Sequence, residues 1–157
     1  MIFVILGTQD IPFNRMLEMV DNLIERYGIT EEVIAQVGHT QYNSKHFICI
    51  PFMNEEDFQE HVKRASAIIT HAGSGALFSA IKSGKKAIAI ARLKEYNEMP
   101  DNHQTELVKK LSLDGYILNG TYSLDYAWQQ LTDFHPRSND FICNIQDELL
   151  KILEIEN

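Results

Sequence analysis

Short apolar, β-branched runs alternate along this chain with segments of helical period, and that alternation predicts an α/β fold: a Rossmann-like parallel sheet with helices on both faces. Two observations carry the expectation. The runs over residues 2–6 and 87–91 are apolar throughout, the mark of strands covered on both sides. Turn residues and then a helix pattern follow most of the runs, so strands and helices succeed one another as crossover units, whose ligands collect at the carboxyl ends of the strands.

The elements follow in order. After the run at 2–6, Pro12 opens a helix pattern carrying Phe13, Met16, Leu17, Val20, Leu23 and Ile24, closed by Gly28. Residues 33–37 read as a second strand ending at Gly38, and residues 47–50 as a third, stopped by Pro51. Asn54 is a good N-cap with Glu55, Glu56 and Asp57 in the first turn of a helix running through Phe58, His61 and Val62 to about Ala65. A strand over 67–70 precedes a glycine turn, and the next helix carries Leu77, Phe78 and Ile81. Gly84 ends that helix, with Lys82, Lys85 and Lys86 suited to its negative end. Beyond the strand at 87–91, the polar stretch 92–101 is too long and too charged for a simple turn and reads as a working loop. A helix over 102–113, a short strand over 116–118, a helix over 124–131 and a terminal helix over 141–153 complete one domain spanning 1–157. The terminal helix, with Phe141, Ile142, Ile145, Leu149, Leu150, Ile152 and Leu153, either packs on the domain's own sheet or docks a partner.

Composition narrows the function classes. With 157 residues, 45% of them hydrophobic and 10% aromatic, the chain suits one domain with a substantial core. A net charge of -8 argues against nucleic acid as a partner. Cys49 and Cys143 lack metal-site spacing, which fits a reducing, cytoplasmic setting, and Cys49 reads as a small core residue. The apolar start of the chain stops at Gly7 without a basic segment before it, so neither a signal peptide nor a membrane span is expected.

The segment Thr70-His71-Ala72-Gly73-Ser74-Gly75 carries the strongest chemical signal. Gly73 and Gly75 can adopt positive φ and admit a ligand to the main chain, while the following helix aims unpaired N–H groups and about half a positive charge at the turn. A phosphate or pyrophosphate is the natural guest. The plainer alternative is that Ser74 merely caps the helix. Two further loops are chemically loaded and share the same sheet edge. Gly7-Thr8-Gln9 offers close backbone approach and a hydroxyl. Arg92 could clamp a phosphate or pair with Glu95 or Glu98, and Asn102-His103-Gln104 offers polar groups for sugar hydroxyls or a base edge, with Asn102 also a plain N-cap.

Gly7-Thr8-Gln9 with Pro12-Phe13-Asn14-Arg15, then Gln36-Val37-Gly38, the Ala67 to Gly75 segment, Gly84-Lys85-Lys86, Arg92 and Asp101-Asn102-His103-Gln104 together resemble the Alg13-like glycosyltransferases. These are similar to the C-terminal, donor-binding half of the MurG-type glycosyltransferases of family 28. The resemblance spans nearly the whole chain. It implies one lobe of a GT-B enzyme, holding a UDP-sugar as donor substrate without a cofactor or metal, with a separate membrane-anchored, Alg14-like subunit supplying the acceptor lobe. The acceptor it implies is a lipid-linked glycan precursor of capsular or exopolysaccharide synthesis, with galactose or N-acetylglucosamine as the sugar. The chain would then lie at the inner face of the membrane through its partner, and a homodimer in the partner's absence is left open.

Carried over position by position, the resemblance puts Gly7 and Thr8 against the diphosphate, with Ser74 and Gly75 donating main-chain N–H groups to it and Gly73 in the same donor-binding set. Arg92 and Asn102 join the donor-binding set, and His103 and Gln104 face the sugar. His71 sits at the lip of the cleft, where it could meet a phosphate or the acceptor, and His71 and His103 are the candidate catalytic groups. Inversion at the anomeric carbon is implied, with little or no transfer by the isolated chain, because the general base belongs to the acceptor lobe. One departure stands out: related chains carry an acidic residue for the ribose hydroxyls early in the helix after the glycine turn, and Ser79 occupies that place here. That departure is the main support for the alternative, a non-catalytic nucleotide-sugar-binding or regulatory module. A Rossmann oxidoreductase is disfavoured because the first strand runs into Gly7-Thr8-Gln9-Asp10-Ile11-Pro12, not a Gly-x-Gly-x-x-Gly turn.

Overall fold

The computed structural model of the chain describes residues 1–137. The helix expected over 141–153 lies outside the described residues, as does Cys143. Among the described residues, six strands form one all-parallel sheet: β1 (Ile2–Ile5), β2 (Val33–Gln36), β3 (Ile48–Ile50), β4 (Ala67–His71), β5 (Lys86–Ile90) and β6 (Leu118–Asn119). Five helices connect and cover them: α1 (Asn14–Tyr27), α2 (Glu55–Arg64), α3 (Ser74–Lys82), α4 (His103–Leu113) and α5 (Leu124–Gln130). The strand order is β3-β2-β1-β4-β5-β6, so the winding direction reverses between β1 and β4. In such sheets the reversal opens a crevice at the carboxyl ends of the two central strands.

Each face of the sheet carries its own core, because successive residues of β1 point to opposite sides. Ile2, Val4 and Leu6 pack with Met16, Leu17, Val20 and Leu23 of α1 and Leu124 and Ala127 of α5. Phe3 and Ile5 pack with Val62 of α2, Leu77, Ala80 and Ile81 of α3, and Leu107, Val108 and Leu111 of α4. The expected α/β class, with helices on both faces, is therefore the one observed. One crossover has no helix: between β2 and β3 the chain loops, pinned where Tyr42 Oη and Ser44 Oγ donate to Asp21 of α1 at 2.6 and 2.5 Å. No helix among the described residues is long and apolar enough to cross a membrane.

Two differences from the sequence expectation have long-range causes. The first helix begins at Asn14 rather than Pro12. The buried Arg92 side chain donates from Nη1 to the carbonyls of Ile11 and Pro12, at 2.8 and 3.2 Å, and Phe13 N donates to Thr40 Oγ1 at 3.1 Å, so long-range partners hold this stretch outside the helix. Lys85 and Lys86 do not serve the end of α3. Lys85 Nζ donates to the carbonyl of Lys63 in the last turn of α2, and Lys86 Nζ to the carbonyls of Leu131 and Thr132 just past α5, so each lysine answers the negative end of a neighbouring helix.

Candidate functional site

A cleft of about 460 Å³ lies where the sheet order reverses, walled by the end of β1 (Ile5 to Gln9), the end of β2 (Gln36), the start of α2 (Met53, Glu55, Phe58) and the turn from β4 into α3 (His71, Gly73 to Ala76, Ser79). Seven residues singled out in the sequence meet here: Gly7, Thr8, His71, Gly73, Ser74, Gly75 and Ser79.

The glycine turn works by close approach rather than by unusual dihedrals. Gly73 has φ -69° and ψ 136°, and Gly75 lies within α3, so neither adopts the positive φ expected of them. Glycine is needed at 73 because a Cβ there would overlap the His71 ring, and one on Gly7 would come within 2.5 Å of His71 Nε2. A Cβ on Gly75 would meet nothing within 4 Å, so that position opens onto free space at the cleft.

Ser74 is the first helical residue and not the cap; Gly73 takes the cap position, with no side-chain cap bond. The first main-chain bond of α3 runs from Leu77 N to Gly73 O at 3.0 Å. The N–H groups of Ser74, Gly75 and Ala76 therefore have no helical acceptor and end on the cleft, where the helix dipole adds its positive end. Thr8 contributes a hydroxyl from the opposite loop. Main-chain N–H groups arranged in this way at the start of a nine-residue helix are suited to receive an anion.

His71 is buried in the cleft wall rather than standing at its lip, with 7% of its surface exposed. Its Nδ1 lies 3.3 Å from the Ile5 carbonyl oxygen, which can only accept, so Nδ1 carries the proton and the neutral ring presents Nε2 as an acceptor. Burial lowers its pKa from 6.5 to about 4, with the Ile5 carbonyl opposing and the Arg92 charge adding to the shift. A neutral ring with an acceptor nitrogen does not bind phosphate oxygens. Glu55 is the one charged side chain among the described residues lining the cleft. The cleft thus offers anions fixed dipoles instead of cationic side chains.

Arg92, Asn102, His103 and Gln104 do not line this cleft. Arg92 is 1% exposed, stacks 4.6 Å over the Phe13 ring and spends Nη1 on the Ile11 and Pro12 carbonyls, so it ties loops together and does not reach out to a phosphate. Glu98 pairs with Arg15 instead of Arg92, accepting from Nε at 2.9 Å and Nη2 at 3.0 Å, and it takes Leu93 N at 2.8 Å. Asn102 occupies the N-cap of α4 without a capping bond, because its Oδ1 accepts from Lys94 N at 2.9 Å. Gln104 Oε1 accepts from Arg92 N at 3.0 Å, and His103 Nε2 lies 3.6 Å from Asp101 Oδ2. The stretch read as a working loop is thus held down by its own polar residues.

Sequence reasoning passed over Gln36, Met53, Glu55 and Phe58 as site residues. A signal was present: a helix capped at Asn54, directly after a parallel strand, must begin at the same sheet edge as the glycine turn.

The model of the glycosyltransferase family 28 C-terminal domain matches residues 1–123. The chain belongs to this family. The family 28 domain is 27% identical over 126 residues to the human UDP-N-acetylglucosamine transferase subunit ALG13, covering 74% of the chain and 10% of that protein, and 26% identical over 100 residues to the mouse counterpart. The chain thus spans about a tenth of the length of these curated relatives. Among solved structures, the domain superposes on an NMR structure of ALG13 with a TM-score of 0.65 at 17% identity, covering 99% of this chain and 96% of that one. MurG of Acinetobacter baumannii gives 0.59 at 18% identity, over 83% of this chain and 40% of that one. The glycosyltransferase SnogD of Streptomyces nogalater gives 0.58 at 17% identity, over 84% and 34%. These likenesses establish for the family 28 domain the fold of a GT-B glycosyltransferase lobe.

Proposed function

We propose that this domain is the donor-binding subunit of an inverting UDP-sugar glycosyltransferase, completed by a membrane-anchored, Alg14-like partner that binds a lipid-linked glycan acceptor. The observation that carries the reading is the cradle formed by the N–H groups of Ser74, Gly75 and Ala76 with Thr8, at the crevice between β1 and β4. The UDP diphosphate would lie on that cradle, its negative charge facing the positive end of α3.

Transfer at the anomeric carbon breaks the bond to the β-phosphate oxygen, so charge builds on the leaving UDP as the acceptor hydroxyl attacks from the opposite side of the sugar. Preorganised N–H dipoles stabilise such charge without having to reorient, which makes the cradle the chain's main catalytic device. His71 is neutral across the physiological range and can accept a hydrogen bond at Nε2, but a group whose pKa is about 4 is a weak base. The general base is therefore assigned to the acceptor lobe. The hexose, galactose or N-acetylglucosamine, would extend toward the start of α4, where His103 and the Gln104 amide are candidate hydroxyl contacts. The experiment is a transfer assay: radiolabelled hexose should pass from UDP-hexose into extracted lipid when this chain is combined with membranes carrying its partner, and not with the chain alone. Robust transfer by the isolated chain, or none in any combination that retains nucleotide binding, contradicts the reading. The latter result favours a binding module, for which Ser79 in place of an acidic residue is the supporting observation.

A further inference from the structure

Ser79 and Glu55 line the same cleft from two different helices, Ser79 from α3 and Glu55 from the first turn of α2. A ribose carries two neighbouring hydroxyls, and a carboxylate accepts from both through charge-assisted bonds that a serine hydroxyl does not match. We propose that Glu55 accepts the ribose hydroxyls of the bound nucleotide, so that the hydroxyl-binding carboxylate of this chain stands on α2 and not on α3. The inference rests on the reading of the cleft as a UDP site.

Three observations support it. Glu55 is the one charged side chain lining the cleft among the described residues, and the cleft's wall presents no cation to pair with it. A carboxylate near a diphosphate costs repulsion unless it gains a bond from the same ligand. Gln59 Nε2 donates to Glu55 Oε1 at 2.8 Å, one turn along α2, which steadies the carboxylate and leaves Oε2 to accept from a ligand. Independently, Gln36 is 8% exposed and lines the same wall. Its Oε1 accepts from Met53 N at 3.1 Å, while its NH2 has no partner among the described residues. That amide is open to the cleft and not among the buried unpaired groups, so it is free to donate to a ligand carrying polar acceptors there. With the diphosphate on the α3 cradle, a nucleoside extending to the α2 wall would meet the Gln36 amide, the Phe58 ring and the Glu55 carboxylate.

Calorimetry on the full chain tests this with UDP and its 2′,3′-dideoxy analogue, using the parent chain, Glu55→Gln and Ser79→Ala. Glu55 is exposed, so its substitution leaves the cores untouched. Glu55→Gln should weaken UDP about tenfold while leaving the dideoxy analogue unchanged or bound more tightly, because the removed charge also repels the diphosphate. An unchanged UDP affinity in Glu55→Gln, an equal loss for both ligands, or a UDP-selective loss only in Ser79→Ala overturns the proposal while leaving the UDP site standing. A parent chain that binds neither ligand overturns the UDP reading itself, and the assignment of Glu55 with it.

Discussion

His71 and Ile5 join the two strands that flank the reversal of the sheet: the imidazole Nδ1 lies 3.3 Å from the Ile5 carbonyl oxygen, at the carboxyl ends of β4 and β1. One side chain thereby fixes the spacing of the loops that wall the cleft. Gly7 and Gly73 are bare so that the ring fits between them.

This burial makes the domain acid-sensitive. The folded-state pKa of His71 is lowered from 6.5 to about 4, so the unfolded chain binds a proton that the folded chain refuses between those values. The His71 contribution is complete above about pH 6.5 and is lost as pH falls toward 4, by up to roughly 3 kcal/mol. Urea denaturation at pH 7.5, 6 and 5 should show this decline in the parent chain and a flatter profile in His71→Asn. Parallel profiles would mean that the ring takes up its proton in the folded state as freely as in the unfolded one.

The two glycines of the turn should respond oppositely to alanine. Gly73→Ala drives a Cβ into the His71 ring and should cost about 1–3 kcal/mol. Gly75→Ala meets open space inside a helix and should be neutral or stabilising by about 0.5–1 kcal/mol. Thermal melts of the two variants against the parent chain decide it, and equal effects would contradict the packing described.

Glu98 is the counter-charge of the loop after β5. It is 5% exposed, bonds Arg15 through two nitrogens, and its charge opposes the desolvation of Arg92, whose pKa burial pushes down. Removing one partner of a buried pair leaves the other charge uncompensated, so Glu98→Ala should destabilise the domain by about 3–5 kcal/mol. Denaturant titration measures the loss; a change below about 1 kcal/mol would show the pair to be solvated.

The fold was legible because its signals are local. Continuous apolar strands such as β1 and β5, the Asn54 cap, whose Oδ1 accepts from Asp57 N at 2.8 Å, and the left-handed closures at Gly28 and Gly84 all act within a few residues. The turn from β4 into α3 was legible for the same reason, since its N–H groups and glycines adjoin in sequence. Arg92 was misread because its partners, Ile11, Pro12 and Phe13, lie some eighty positions away and turn an apparent surface arginine into a buried tie. Asn102 takes the N-cap position of α4 as expected, but its side chain makes no capping bond because the Lys94 N–H competes for it. The α2 wall went unnoticed because Glu55 is also an ordinary first-turn acid, and only the sheet order brings it beside the glycine turn.

Calorimetry of the parent chain and Gly75→Asp with UDP, UDP-galactose, UDP-N-acetylglucosamine and NAD tests the central claim most directly. The parent chain should bind the uridine nucleotides and not NAD. Gly75→Asp, which places a carboxylate in the cradle where no packing is disturbed, should abolish that binding with the melting temperature retained. Tight NAD binding without UDP binding, or undiminished UDP affinity in a folded Gly75→Asp variant, would contradict the account.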